Sequence, residues 1–124
     1  MKESSISVLV VDDEPDLRFL MRLVLEGVGY GVTEAANGVD ALKRIQQSRP
    51  DVVITDLMMP KMGGRELISH LQADRKLASI PIIVVSASIG GAALGVAECM
   101  EKPFQIEELV AAMRRCTGFQ GDAS

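Results

Sequence analysis

Histidine is nearly absent from this 124-residue chain, His70 being the only one. A zinc centre or a Ser/His/Asp triad would have to be assembled around it, and no neighbouring motif supports either. His70 is therefore read as a surface or helix-flank residue. Cysteine is almost as scarce: Cys99 and Cys116 have neither CxxC spacing nor the density of a secreted disulfide scaffold. Free thiols in a reducing, cytoplasmic compartment are expected. Positive charge is in deficit, with 13 Lys and Arg against 17 Asp and Glu, for a net charge of −4. A pI near 5.0 leaves no basic footprint for a phosphate backbone, so direct nucleic-acid binding by this chain is not expected.

Long uninterrupted apolar segments are missing as well. The opening MKESSISVLVVDDE carries one lysine, and its apolar run meets Asp12 and Asp13 too soon to form the core of a signal peptide, so no export signal is expected. Residues 77–97, LASIPIIVVSASIGGAALGVA, are uncharged and nominally reach the roughly 20 residues of a membrane span. Pro81, the serines and the glycines break that stretch into a short β-branched strand and a small-residue loop, the texture of a strand buried on both faces. What remains is an ordinary composition, 48% hydrophobic and 24% charged, in a length suited to one compact domain.

Short β-type runs alternate with helical periodicity along the chain. The runs occupy residues 6–11, 30–35, 52–55 and 80–85, with a shorter candidate near Cys99 and Met100. Leu17, Leu20, Met21, Val24, Leu25 and Val28 place one apolar stripe on a first helix. Val39, Leu42 and Ile45 mark a second, Leu67, Ile68 and Leu71 a third, and Ile106, Leu109, Val110 and Met113 the last. Glu107 and Glu108 in the first turn of that last helix, and Arg114 and Arg115 in its final turn, suit the helix dipole. Strict alternation predicts βαβ units with right-handed crossovers and an α/β, doubly wound parallel sheet. Gly27, Gly29 and Gly31 follow a helix and precede a strand, the reverse of a dinucleotide loop, and read as a helix stop. Residues 1–118 are assigned to one domain and 119–124 to a tail or the start of a linker, with fraying expected from Thr117 onward.

In a sheet of this kind chemistry gathers beyond the carboxyl ends of the strands. Reading those ends in turn gives Asp12, Asp13 and Glu14 after the first strand, Asp56 after the third, Ser86 after the fourth and Lys102 after the fifth. Carboxylates converging at one edge repel one another unless a cation joins them or one takes a proton. A hard divalent ion, most simply Mg²⁺, suits such an all-oxygen site. An aspartate can attack phosphorus while a metal and a lysine neutralise the phosphoryl oxygens. Taken singly, these residues have plainer uses, since Asp12 and Asp13 could cap a helix and Lys102 could offset local charge. Four strand ends that each offer a group useful to phosphoryl transfer are more than capping requires.

VLVVDDEP, DVVITDLMMPKMGG and MEKPF, in that order and spacing, resemble the three signature segments of response-regulator receiver domains, and the resemblance covers nearly the whole chain. It implies a flavodoxin-like five-stranded sheet in the order 2-1-3-4-5. It further implies that Asp56 is the phosphoacceptor, that Asp12 and Asp13 form the Mg²⁺-binding acidic pair, and that the Met58 backbone carbonyl completes the metal shell. Ser86 matches the hydroxyl that bonds the phosphoryl group, and Lys102, followed by a cis bond to Pro103, the lysine that pairs with it. The implied partners are a histidine kinase or a histidine phosphotransfer protein, which would dock near the first helix. Phe19 and Leu23 would suit such a partner if exposed. The implied activity is self-catalysed phosphorylation and dephosphorylation rather than enzymatic turnover. An unphosphorylated scaffold is the alternative within the fold. An aspartyl-nucleophile phosphatase or phosphotransferase is the alternative outside it, disfavoured because Met58 stands where that class carries a second aspartate.

Three departures from the family pattern stand out. Gly63 replaces a usual acidic helix cap, and Cys99 stands where the family places a switch aromatic. Residues 87–101 are also about half a dozen fewer than the family uses between these points. The fourth helix is therefore expected to be short or absent, leaving Ile82, Val84 or Val85 partly bare for a partner or for a homodimer through the fourth-helix and fifth-strand region.

Overall fold

The computed structural model describes residues 5–88 and 94–119. Its elements are β1 (Ser7–Val11), α1 (Pro15–Val28), β2 (Gly31–Ala35), α2 (Gly38–Gln47), β3 (Val52–Thr55), α3 (Gly64–Ala73), β4 (Ile82–Ser86), β5 (Glu98–Glu101) and α4 (Ile106–Thr117). The strands form one five-stranded sheet in the order β2-β1-β3-β4-β5. Every pairing is parallel. The predicted α/β class and strand order both hold.

Alternate residues along each strand face opposite sides of the sheet, and both sides are covered. Val8, Val10, Val52, Ile54, Ile83 and Val85 pack with Met21 and Leu25 of α1 and with Leu109 and Met113 of α4. Leu9, Val11, Val53, Ile82 and Val84 pack with Ala41 and Ile45 of α2 and with Leu67 and Leu71 of α3. Each fully buried aliphatic side chain contributes roughly 1.5–3 kcal/mol, so the sheet is a rigid base for whatever its ends carry. Gly29 ends α1 as the glycine string predicted: at φ 122° its N–H bonds the Leu25 and Glu26 carbonyls.

Four expectations need correction or limits. Leu20, placed on the apolar stripe of α1, is 43% exposed, and Ile106 and Val39 also face outward. A periodic pattern marks the centre of a stripe better than its edges. Thr117, expected to begin the tail, is the last residue of α4, and Phe119 meets the Tyr30 ring edge-on with centroids 5.2 Å apart. Between β4 and β5 no helix occurs among the described residues, and residues 89–93 of the expected irregular segment lie outside them. The sheet is nonetheless not bare there, since Ile82, Val84 and Val85 are buried. Leu94 and Val96 pack onto the Ile82 and Val84 side, and Gln72 on α3 holds their segment by donating to the Leu94 carbonyl at 2.9 Å.

Candidate functional site

The carboxyl ends of β1, β3, β4 and β5 meet at one edge of the sheet, and the register brings their trailing residues together. Backbone bonds extend the ladder past the strands: Asp12 N–H donates to Ala35 O at 3.1 Å, Asp56 N–H to Val11 O at 3.0 Å and Lys102 N–H to Ser86 O at 2.9 Å. Asp12, Asp56, Ser86 and Lys102 are thus pinned by their main chains to neighbouring strands. The peptide bond from Lys102 to Pro103 is cis, as the motif implied. Below the site, Gly64 begins α3 so close to β3 that a Cβ there would lie 2.0 Å from the Asp56 carbonyl oxygen. The second glycine of PKMGG is therefore required by backbone approach.

Asp56 is buried, and its two carboxylate oxygens have different surroundings. Oδ1 accepts from Leu57 N–H at 2.6 Å, Met58 N–H at 3.2 Å and the Ser86 hydroxyl at 2.8 Å. Among the described residues, Oδ2 accepts only from Lys102 Nζ, at 2.7 Å. The first oxygen is saturated and fixes the orientation, which leaves the second with lone-pair capacity toward the open side. Burial by itself would raise the pKa of Asp56, but the bonds from Lys102, Ser86 and Met58 N–H outweigh it and hold the carboxyl below its ordinary range.

Lys102 reaches three carboxylates, adding Asp12 Oδ2 at 3.0 Å and Glu14 Oε1 at 2.9 Å to Asp56. Its own burial opposes the charged form, yet these three acceptors draw its pKa well above the ordinary lysine value. Asp12 is only 1% exposed, and burial pushes its carboxyl upward despite the bonds from Glu14 N–H and Lys102. Asp13 is exposed. Asp12, Asp13 and Asp56 each offer an oxygen within 4.8 Å of the others. One ammonium does not neutralise them, and an all-oxygen set of this charge and spacing fits a hard divalent cation.

The structure therefore brings together all the side chains singled out from the sequence: Asp12, Asp13, Asp56, Ser86 and Lys102. Met58 joins through its backbone N–H, while its side chain is 73% exposed. Two participants escaped the sequence reading. Glu14 was noted only as a neighbour of the acidic pair, and its bond to Lys102 was not foreseen. Arg18 on α1 donates to the Asp12 carbonyl and is itself held by Glu34 on β2 at 2.8 Å. The acid after the pair was a usable signal for Glu14, whereas nothing local marks an ion pair between α1 and β2.

This geometry agrees with what comparison finds. Residues 8–114 match the family model of the response regulator receiver domain. The chain belongs to that family. The receiver domain is 38% identical over 116 residues to the response regulator MprA of Mycobacterium bovis, covering 89% of this chain and 50% of that protein. It is 33% identical over 113 residues to the DNA-binding dual master transcriptional regulator RpaA of Synechocystis, covering 86% of this chain and 47% of that protein. The receiver thus spans about half the length of the curated relatives it matches. Among solved structures, the chemotaxis response regulator CheY4 of Vibrio cholerae superimposes with a TM-score of 0.84 at 31% identity, over 91% of this chain and 99% of that one. The receiver domain of a Syntrophus aciditrophicus signal transduction histidine kinase gives 0.85 at 26% identity, over 97% and 96%. No helix among the described residues is long and apolar enough to cross a membrane.

Proposed function

We propose that this receiver is a phosphoacceptor switch of a two-component system, taking a phosphoryl group on Asp56 from a histidine kinase or phosphotransfer protein in the cytoplasm. The observation that carries the proposal is the asymmetry at Asp56, where Oδ1 is saturated by three donors and Oδ2, among the described residues, is shared only with Lys102. An Oδ2 lone pair forms the new P–O bond as the donor's bond to phosphorus breaks, its electron pair leaving with the donor. Ser86 and Lys102 already converge on the carboxylate, and each can turn a donor now given to a carboxylate toward the arriving phosphoryl oxygens. Low Asp56 basicity keeps the nucleophile ionised near neutrality. Asp12, Asp13, Asp56 and the Met58 carbonyl would hold Mg²⁺, which when bound offsets the negative charge that phosphoryl transfer brings together.

Residues 1–118 form the switching unit in this reading. Phe19, Leu20 and Leu23 on α1 are 56%, 43% and 52% exposed. Beside them Leu17, Leu20, Phe104 and Ile106 line a groove of about 470 Å³ bordered by Glu14 and Lys102, a suitable seat for the donor protein next to the acceptor. The exposed Met58 offers no second carboxylate to protonate a leaving group, so the site suits one reversible phosphorylation of the protein better than turnover of an ester. Incubation with acetyl phosphate and Mg²⁺ followed by intact mass spectrometry tests the proposal. Gain of a single phosphoryl group is expected. An unmodified mass under conditions that preserve acyl phosphates would favour an unphosphorylated scaffold instead.

A further inference from the structure

Lys102 has three N–H donors, and all three are committed, to Asp12, Glu14 and Asp56. Of these acceptors, Asp12 and Asp56 also belong to the carboxylate cluster suited to a cation, and Asp56 is the group to be phosphorylated. Glu14 stands outside that cluster. Its charge is lost neither to a cation nor to acyl phosphate formation, so it alone keeps its full claim on the ammonium when a phosphoryl group arrives. A second feature points the same way. Glu14 occupies the N-cap of α1, yet its side chain makes no capping bond to that helix and turns to Lys102 instead. Helix geometry therefore does not explain the placement of its carboxylate, and 62% side-chain exposure leaves it free to swing away.

We infer that Glu14 is a positioning residue that competes with the phosphoryl group for Lys102, holding the ammonium in the unphosphorylated arrangement and limiting how tightly the phosphorylated one is gripped. The inference rests on the phosphoacceptor reading and adds to it a residue that tunes the strength of the switch. An exposed ion pair of this kind sets a modest scale, about two- to five-fold in an equilibrium constant.

The test is a calorimetric titration with beryllofluoride, a phosphoryl mimic, in saturating Mg²⁺, on wild type, Glu14→Gln, Lys102→Met and the double variant. Glu14→Gln is expected to bind about two- to five-fold more tightly, and the same change in the Lys102→Met background to have no effect, because the competition acts through the ammonium. Mg²⁺ affinity without beryllofluoride is expected to stay within about two-fold of wild type. Equal tightening in both backgrounds would overturn the inference in favour of a general field effect, and unchanged or weaker binding by Glu14→Gln would overturn it outright. Failure of wild type to bind beryllofluoride at all would instead remove the phosphoacceptor reading beneath it. Should Lys102→Met bind too weakly to compare, the ¹⁵N resonance of Lys102 Nζ decides the matter. It is expected to move on Glu14→Gln in the free protein, and an unmoved resonance overturns the inference.

Discussion

Replacing Lys102 with methionine keeps most of the aliphatic stem and removes the ammonium, which strands two carboxylates where water gives little help. The side chain of Asp12 is 1% exposed, that of Asp56 8% and that of Lys102 itself 14%. Breaking a buried ion pair by deleting one partner costs about 3–5 kcal/mol when the remaining charge has no other recourse. Here Ser86 and two backbone N–H groups still bond Asp56 Oδ1, and Asp12 can take up a proton. A loss of about 2–4 kcal/mol near pH 7.5 without divalent cations is therefore expected, of which the exposed Glu14 contact supplies at most about 1 kcal/mol. A domain with the usual stability of roughly 5–15 kcal/mol stays folded.

The pH dependence has a definite sign. Asp12 already has a raised folded-state pKa, so its contribution is fully favourable below the unfolded value and is lost as pH rises through the folded one. Wild-type Asp56 is the opposite case. Its depressed pKa gives stability that is present above the unfolded value and lost only as pH falls through the folded one, below about pH 4. Without Lys102, both carboxyls join the raised class. The deficit of the variant relative to wild type should then shrink as pH is lowered from about 7.5 to about 5, a range in which wild-type Asp56 stays ionised. Urea titrations followed by circular dichroism, in chelator, measure it. Asp12→Asn in the Lys102→Met background should recover at least about 1 kcal/mol, because the amide still accepts from Glu14 N–H and turns a donor toward Asp56. A neutral-pH loss below about 1 kcal/mol, or a deficit that widens on acidification, would refute the reasoning.

Two further predictions follow from the same geometry. Asp13→Ala should weaken Mg²⁺ binding, read by calorimetry, more than Asp12→Ala does, because Asp12 already spends Oδ1 on Glu14 N–H and Oδ2 on Lys102; the reverse order would contradict the assignment of ligands. Gly64→Ala drives a Cβ into the Asp56 carbonyl and should destabilise by about 2 kcal/mol or more in urea titration while lowering phosphorylation, since the turn that carries Asp56 must move; a change under about 0.5 kcal/mol would show that the close approach relaxes freely.

Much of the fold was legible because the physics is local. Both faces of the central strands are buried, so β3 and β4 read as continuous apolar runs, and the glycine string marks the end of α1. The site was legible for a related reason: in a parallel sheet the residues just past each strand share one edge, so topology alone places Asp12, Asp56, Ser86 and Lys102 together. Contacts set by three-dimensional neighbours were harder to read. Leu20 and Ile106 belong to apolar patterns yet line an open groove, because the width of a buried stripe depends on what packs against it. The missing residues between β4 and β5 suggested a thin cover, but Leu94 and Val96 supply one without any helix among the described residues. Glu14 follows the acidic pair in sequence, but only the three-dimensional position of Lys102 shows that its carboxylate serves the ammonium and not the helix it starts.

The most direct test of the central claim is to locate the phosphoryl group itself. Borohydride reduces an aspartyl phosphate to homoserine, so treatment of the acetyl phosphate-labelled receiver followed by peptide mass spectrometry reports the acceptor position. Homoserine at position 56 in wild type, and its absence in Asp56→Asn, whose amide lacks the anionic nucleophile, is the expected result. Homoserine at position 12, 13 or 51 in wild type, or undiminished labelling of Asp56→Asn, would contradict the assignment of Asp56.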